Sequence, residues 1–365
     1  MTLAALMILG LVAQARQEKV MIYGDHGRLD AVIQTPETQP GHKIPMVIIC
    51  HGFTGNKDEL LLRTLADSLE RQGVGSIRFD FNGHGRSDGL FEQMTVPNEI
   101  VDTKHVLEYV EHLDYVNRIA LAGHSQGGVV AAMTGGELGN GRIDALVLLA
   151  PAGVLRDDAL RGNTFGKIYD PKNPPETIEL WGGRKLGGNY IRTAIGLPIY
   201  ETAMHYTGPT LVIHGESDRT VPYTYGQRFH YVIKGSEFRL MPDMDHGFSR
   251  HEAEVAGMAA RFLADRLGAS PKAFSATKSK TGKTTDSIDP RTIKGADAST
   301  YETLGGGYSR DKNHAYYNGR LISDAGVATT SFTRAEATPL TAYTPIIMAG
   351  RWNATEIHLC QPIYH

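Results

Sequence analysis

Between residues 18 and 268 the apolar positions follow two alternating patterns. Short continuous runs occur at "PMVIICHG" (45–52), "VGSIRFDF" (74–81), "RIALAG" (118–123), "DALVLLAP" (144–151), "PTLVIHG" (209–215) and "EFRLMP" (237–242). The first ends on glycine, as a fully buried parallel strand does, and the others complete the strand list. Between them, 58–72, 97–115 and 248–267 carry apolar residues at helical spacing, the first behind Asp58 in a capping position. Repeated strand–helix units predict a mostly parallel sheet with helices on both faces. "VMIYG" (20–24) and "LDAVIQTP" (29–36), around Asp25-His26-Gly27, read as a hairpin that forms an antiparallel edge.

Two stretches break this rhythm. Residues 154–205 are rich in Gly, Pro, Asn and aromatics and lie between two strands. An insertion of that length is more often a functional lid than a linker. After Gly268, "ASPKAFSATKSKTGKTTDS" (269–287) is polar and basic, as a linker is. Its "TKSKTGKTT" imitates a phosphate-binding loop, but Thr277 stands where the first glycine is required and no strand precedes it. "HAYYNGRLI" (314–322) places an Asn-Gly turn between β-prone flanks and predicts a small β module over 288–333. Residues 334–365 carry no usable pattern.

The N-terminus bears on location. "TLAALMILGLVAQA" (2–15) is too short to span a bilayer and ends in Ala13-Gln14-Ala15. A secretory signal peptide over 1–15 is expected, although no Lys or Arg precedes the apolar run. The chain would then be secreted or periplasmic, with no stable membrane insertion after signal removal. The alternative is a buried N-terminal helix of a cytoplasmic protein. Composition adds mainly exclusions. A net charge of −3 and a hydrophobic fraction of 41% suit neither a nucleic-acid binder nor a disordered chain. Two cysteines, Cys50 within an apolar run and Cys360, indicate no disulfide framework.

The chemistry turns on "LAGHSQGGVV" (121–130). A bare G-x-S-x-G is weak in a chain with 41 glycines. Here it joins a predicted strand to a predicted helix, the context a nucleophile elbow requires. A serine so placed needs an acid and then a histidine, each after a later strand. Asp218 follows "PTLVIHG" and His246 follows "EFRLMP", in that order. Glu216 rivals Asp218, but "RTVP" after Asp218 forms a compact turn. Asp243 and Asp245 lie too near His246 in sequence to orient it. His214 at a strand end, and His84 and His124 in glycine turns, read as structural. "HEAEV" from His251 lacks the second histidine of a zinc-protease helix, Val255 standing there. No metal and no cofactor are called for. Backbone N–H groups must also face the developing oxyanion. Gln126, next to the serine, offers one, and Phe53 in "HGFTGN" (51–56) offers the other.

With "HGFTG", "RFDFNGHGRSDG" (78–89), "SDRTVP" and "DHGFS" added, the chain resembles an α/β-hydrolase, and more narrowly the bacterial cinnamoyl and feruloyl esterases. "HGFTGNK", "GHSQGG", "LRDDALRGNTFG" and "LPIYE" carry the narrower likeness, which covers 18–268. It implies an α/β-hydrolase fold with a lid, Ser125–Asp218–His246 as triad, and Phe53 and Gln126 as oxyanion donors. It also implies that the lid holds a phenolic ring, with Asp158 and Tyr190 bonding its hydroxyl. Phe165 and Trp181 would join Tyr190 as aromatic walls, although the same aromatics would equally pack the insertion onto the sheet. Phe165 departs from the pattern, since a polar residue belongs in that turn. The substrate implied is a hydroxycinnamate ester, such as a feruloylated saccharide of the plant cell wall. "IKGADASTYETLGGGYSRDKNHAYYNGRLISDA" (293–325) is similar to the DKNYY repeat family, which has no assigned chemistry. A general acyl-ester or lysophospholipid hydrolase is the alternative within the fold. A non-catalytic binding protein acting through the C-terminal module is the alternative outside it. The sequence leaves a homodimer open.

Overall fold

The computed structural model describes residues 16–37, 41–269, 297, 299–305, 308–311, 315–317 and 320–322. The expected signal peptide (1–15), nearly all of the expected linker and the 334–365 tail lie outside the described residues. The chain divides into two units, 1–275 and 276–365.

The first unit is built on an eight-stranded sheet. Its strands are β1 (Arg16–Gly24), β2 (Gly27–Thr35), β3 (Ile44–Cys50), β4 (Gly75–Phe79), β5 (Val116–His124), β6 (Ala145–Leu149), β7 (Thr210–Gly215) and β8 (Glu237–Met241). Their spatial order is β1-β2-β4-β3-β5-β6-β7-β8. From β4 to β8 all neighbours run parallel. The β1–β2 hairpin closes the edge antiparallel, with Gly24 opposite Gly27 across Asp25-His26.

Period-two alternation explains why β3 is buried along its whole length. Met46, Ile48 and Cys50 face one core with Leu121, Leu148 and Val212. Val47 and Ile49 face the other with Ala120, Val147 and Ile213. Helices α1 (Leu60–Arg71) and α8 (Glu252–Arg266) cover the second face through Leu62, Leu65, Val255 and Leu263. Helices α2 (Val96–Glu111) and α3 (Gln126–Leu138) cover the first, with Val106, Leu107, Val129 and Val130. Each aliphatic side chain taken fully from water contributes about 1.5–3 kcal/mol, so this two-sided core makes the strand ends rigid.

Helix α1 begins two residues later than its apolar pattern predicts, and Asp58 does not cap it. The capping position is Glu59, without a side-chain hydrogen bond. Residues 56–58 are instead folded into a turn, in which the Asp58 N–H donates to Asn56 Oδ1 at 2.9 Å. Helix α2 starts behind Thr95, whose hydroxyl accepts from the Asn98 N–H. Helix α8 starts four residues beyond the predicted 248, after a loop that carries chemistry.

Helix α7 (Tyr223–Val232) follows β7. The 154–205 insertion contains α4 (Val154–Arg161), α5 (Gly188–Ile195) and α6 (Ile199–Ala203). Two short strand pairs accompany them, 163–164 with 167–168 and 177–179 with 185–187. In the second unit, Glu302–Gly305, Tyr308–Arg310, Ala315–Tyr317 and Arg320–Ile322 form a four-stranded antiparallel sheet. Tyr317 lies opposite Arg320, so the strands flanking Asn318-Gly319 do pair as a hairpin.

Candidate active site

Ser125 lies between β5 and α3 with φ 56° and ψ −121°. A non-glycine residue at positive φ is costly unless its surroundings over-determine it. Here they do. The Ser125 N–H donates to Leu149 O at 2.9 Å, and its carbonyl accepts from Gly128 and Ala152 at 3.0 Å each. The flanking glycines are sterically required. A Cβ at Gly123 would sit 2.0 Å from Gly127 O, and one at Gly127 would sit 2.3 Å from His51 O.

Asp218 and His246 come from the loops after β7 and β8, which are zipped together. Glu216 N donates to Met241 O at 2.8 Å and Ser217 N to Met244 O at 3.0 Å. His246 Nδ1 lies 2.7 Å from Asp218 Oδ2, and its Nε2 lies 2.9 Å from Ser125 Oγ. With Nδ1–H donating to the carboxylate, Nε2 is left to accept the Ser125 hydroxyl proton. Glu216 is exposed, and Asp245 binds the Ser249 N–H, so Asp218 is the carboxylate that meets His246.

Burial alone would raise the Asp218 pKa. Hydrogen bonds from His214 and His246, the nearby His246 ring and the Val221 N–H outweigh it and hold the carboxyl below the usual range. Its Oδ1 accepts from the Thr220 and Val221 N–H groups at 2.8 Å each. Its Oδ2 accepts from His246, and from His214 Nε2 at 3.1 Å. His214, read from the sequence only as structural, is therefore a direct partner of this carboxylate. His124 Nε2 lies 2.9 Å from His246 O and ties down that backbone. Burial first, then His246, lowers the His124 pKa to about 4, so it stays neutral as a donor.

The loop after β3 brings Phe53 to the same place. A Cβ on Gly52 would lie 3.0 Å from Ser125 Cβ and 3.5 Å from Oγ, so the backbone there runs directly against the serine. Among the described residues, the N–H groups of Phe53 and Gln126 donate to no acceptor. His51 and Asp80, which the sequence did not single out, fix this loop. His51 Nε2 accepts from the Phe81 N–H at 3.1 Å, and Nδ1–H donates to Gly52 O at 2.8 Å. Asp80 takes the Lys57 N–H and the Lys57 Nζ, both at 2.7 Å.

A cavity of about 290 Å³ opens at Ser125. Phe53, Leu155, Phe165, Tyr190 and Val221 supply apolar lining, and Asp158, Asn163 and Thr164 supply polar groups. Phe165 stacks on Phe53 with ring centroids 4.5 Å apart. Trp181, expected as a wall, is not among the residues lining this cavity. It packs edge-on against Phe165 at 5.4 Å and remains 57% exposed. Asp158 is half-buried. Burial raises its pKa, and Arg161 opposes this through a 2.6 Å hydrogen bond. Tyr190 is buried, and its hydroxyl donates to Gln126 Oε1 at 2.7 Å, so its proton is already engaged.

Residues 41–169 match the family model described as serine aminopeptidase, S33. The chain is 33% identical to Est1E from Butyrivibrio proteoclasticus, a structure with ferulic acid bound. The match covers 68% of this chain and 99% of that one, with a TM-score of 0.65. The chain belongs to the α/β-hydrolase superfamily. Two curated relatives of this α/β-hydrolase are more distant. An uncharacterized 31.7 kDa protein of Escherichia coli is 32% identical over 107 residues, 28% of this chain and 37% of that protein. The chain thus matches little more than a third of that relative's length. The monoacylglycerol lipase of Mycolicibacterium smegmatis is 27% identical, over 52% of this chain and 75% of the lipase. A lipase and a structure with ferulic acid bound are thus among the proteins to which this α/β-hydrolase is similar. Among the described residues, no helix is long and apolar enough to cross a membrane.

Proposed function

We propose that this chain is a serine carboxylic-ester hydrolase that releases hydroxycinnamic acids through an acyl-enzyme. The observation that carries the reading is the hydrogen-bonded line Ser125–His246–Asp218, opening onto an aromatic-lined cavity. Ser125 Oγ attacks the ester carbonyl while His246 Nε2 takes its proton. The tetrahedral oxyanion is held by the Phe53 and Gln126 N–H groups. His246 then protonates the departing alcohol, and water repeats the sequence to free the acid and Ser125. Asp218, ionised throughout, holds the imidazole and stabilises its protonated form.

The acyl group follows from the cavity. About 290 Å³ lies at the small end of ligand sites, suiting one aromatic ring with a short linker better than a long acyl chain. Phe53 and Phe165 offer ring faces, and Asp158 offers an acceptor for a phenolic hydroxyl. The likeness to Est1E, solved with ferulic acid, supports the same class. Methyl ferulate, methyl p-coumarate, methyl cinnamate and p-nitrophenyl acetate test it. We expect kcat/KM to be highest for the two hydroxylated cinnamates and Asp158→Ala to cost them about tenfold or more relative to methyl cinnamate. Equal kcat/KM across all four esters would reduce the reading to a general esterase.

A further inference from the structure

Gln126 does more than follow the nucleophile. Its backbone N–H is one of the two proposed oxyanion donors, and its side chain is held at both ends. Nε2 donates to Glu99 Oε2 at 2.8 Å, and Oε1 accepts from the Tyr190 hydroxyl at 2.7 Å. Glu99, Gln126 and Tyr190 are only 1%, 1% and 2% exposed, and they come from α2, α3 and the lid helix α5. The Tyr190 ring also lies 5.6 Å from that of Phe53, the residue bearing the other donor.

We propose that Tyr190 and Glu99 are positioning residues for the oxyanion hole, and that Tyr190 thereby makes turnover depend on how the lid is docked. The inference rests on the reading of Gln126 and Phe53 as oxyanion donors. As the first residue of α3, Gln126 has no intrahelical partner for its N–H. That N–H must point into the cavity, and a side chain clamped between two helices keeps the residue from turning. Tyr190 braces Gln126 through its hydroxyl and Phe53 through its ring. Glu99 is suited to its end of the clamp because burial pushes its pKa well above the ordinary value. A neutral acid accepts the Gln126 amide proton without placing a negative charge near a developing oxyanion.

The test uses the full chain with Tyr190→Phe, Glu99→Ala and Glu99→Gln, and Ser125→Ala as control. Substrates are p-nitrophenyl acetate, methyl cinnamate and methyl ferulate, with sites counted by active-site titration. A phenyl trifluoromethyl ketone, which forms a tetrahedral adduct with the serine, reports on the hole itself. Removing an oxyanion donor outright costs about 100- to 1,000-fold in kcat, so misplacing one should cost about tenfold. We expect Tyr190→Phe and Glu99→Ala to lower kcat by that amount on all three esters with KM nearly unchanged, and to weaken the ketone in parallel. Glu99→Gln, which keeps a neutral acceptor, should restore kcat to within about threefold of wild type. If Tyr190→Phe costs activity only on methyl ferulate, Tyr190 reads the ring hydroxyl and the proposal falls. It falls equally if the variants lose thermal stability while kcat per titrated site and ketone affinity stay unchanged. Should Glu99→Ala not fold, Tyr190→Phe and Glu99→Gln still decide. A Ser125→Ala protein that turns over normally would instead sink the esterase reading, and this inference with it.

Discussion

Asp218 and Glu99 are both closed off from solvent, and each is linked to the nucleophile turn through one side chain, yet their surroundings push their pKa values in opposite directions. Asp218 accepts four hydrogen bonds, from two histidine rings and two backbone N–H groups. Glu99 accepts one through Oε2 from Gln126, and among the described residues its Oε1 has no hydrogen-bond partner. Burial raises the pKa of both, and only at Asp218 do the donors outnumber the penalty. The difference follows the task. The acceptor behind His246 must be charged, because an imidazolium forms there. In the proposed reaction an anion forms beside Gln126, and the raised pKa of Glu99 favours a neutral acceptor there.

Breaking the charged side should do the most damage. Ser125→Ala and His246→Ala are each expected to lower kcat about 10⁴-fold or more, since the three residues act as a unit. Asp218→Asn should cost nearly as much, leaving a residue of turnover from a histidine in the wrong tautomer. Single-turnover kinetics on p-nitrophenyl acetate measure all three. Full turnover in Asp218→Asn together with loss in Glu216→Gln would move the acid to Glu216.

His214 sharpens the same side more gently. Its Nε2–H is shared between Asp218 Oδ2 at 3.1 Å and Val221 O at 2.9 Å. A hydrogen bond to a charged group contributes about 1.5–3 kcal/mol. His214→Phe should therefore lower unfolding stability by about 2 kcal/mol and kcat by about tenfold, because three donors still hold Asp218. Urea denaturation and kcat read the two effects. A loss as deep as that of Asp218→Asn would mean that the carboxylate depends on His214 rather than on its donors jointly.

The meeting of Ser125, Asp218 and His246 is legible in the sequence because each residue lies just beyond a parallel strand, the first two buried at their ends and the third, Glu237–Met241, partly exposed. "RIALAG", "PTLVIHG" and "EFRLMP" end in loops that rigid strands aim at one point. The lid pairings at 163–168 and 177–187 were not legible. Strands of two or three residues have no period to detect and exist only by packing. Asp58 does not cap α1 because it lies in a turn beside the Lys57–Asp80 clamp, a tertiary arrangement that leaves no local pattern. His214 was passed over because a histidine closing an apolar strand has a simple structural explanation. Glu99, in contrast, left a signal. On α2 the buried positions run Val96, Glu99, Ile100, Asp102, Thr103, Val106, Leu107 and Val110, so two acids, Glu99 and Asp102, interrupt an apolar stripe at helical spacing. A buried acid demands a partner. Asp102 finds the Asp25 and Asn82 N–H groups, and Glu99 finds the residue beside the nucleophile.

The neutral side of the comparison gives the smallest effect and the most specific one. The groups acting on Glu99 from its surroundings are Gln126 on α3, Asp102 on its own helix, Cys50 on β3 and Tyr190 on α5, none of them a cation. Its pKa in the folded chain is raised above the ordinary 4.5. An acid of that kind adds its full stability below its unfolded pKa and loses it as pH rises towards the folded one. A glutamine at 99 has no proton to lose. The Tm of Glu99→Gln should therefore rise relative to wild type as pH increases from 4.5 to 8, by a few °C. His51 and His124, held at about 4, and His84, held at about 3, also make stability pH-dependent. They titrate alike in both proteins and cancel in the difference. Differential scanning calorimetry of the pair across that range is the measurement. A Tm difference that stays flat with pH would mean Glu99 is ionised in the folded state, and the contrast with Asp218 would be lost.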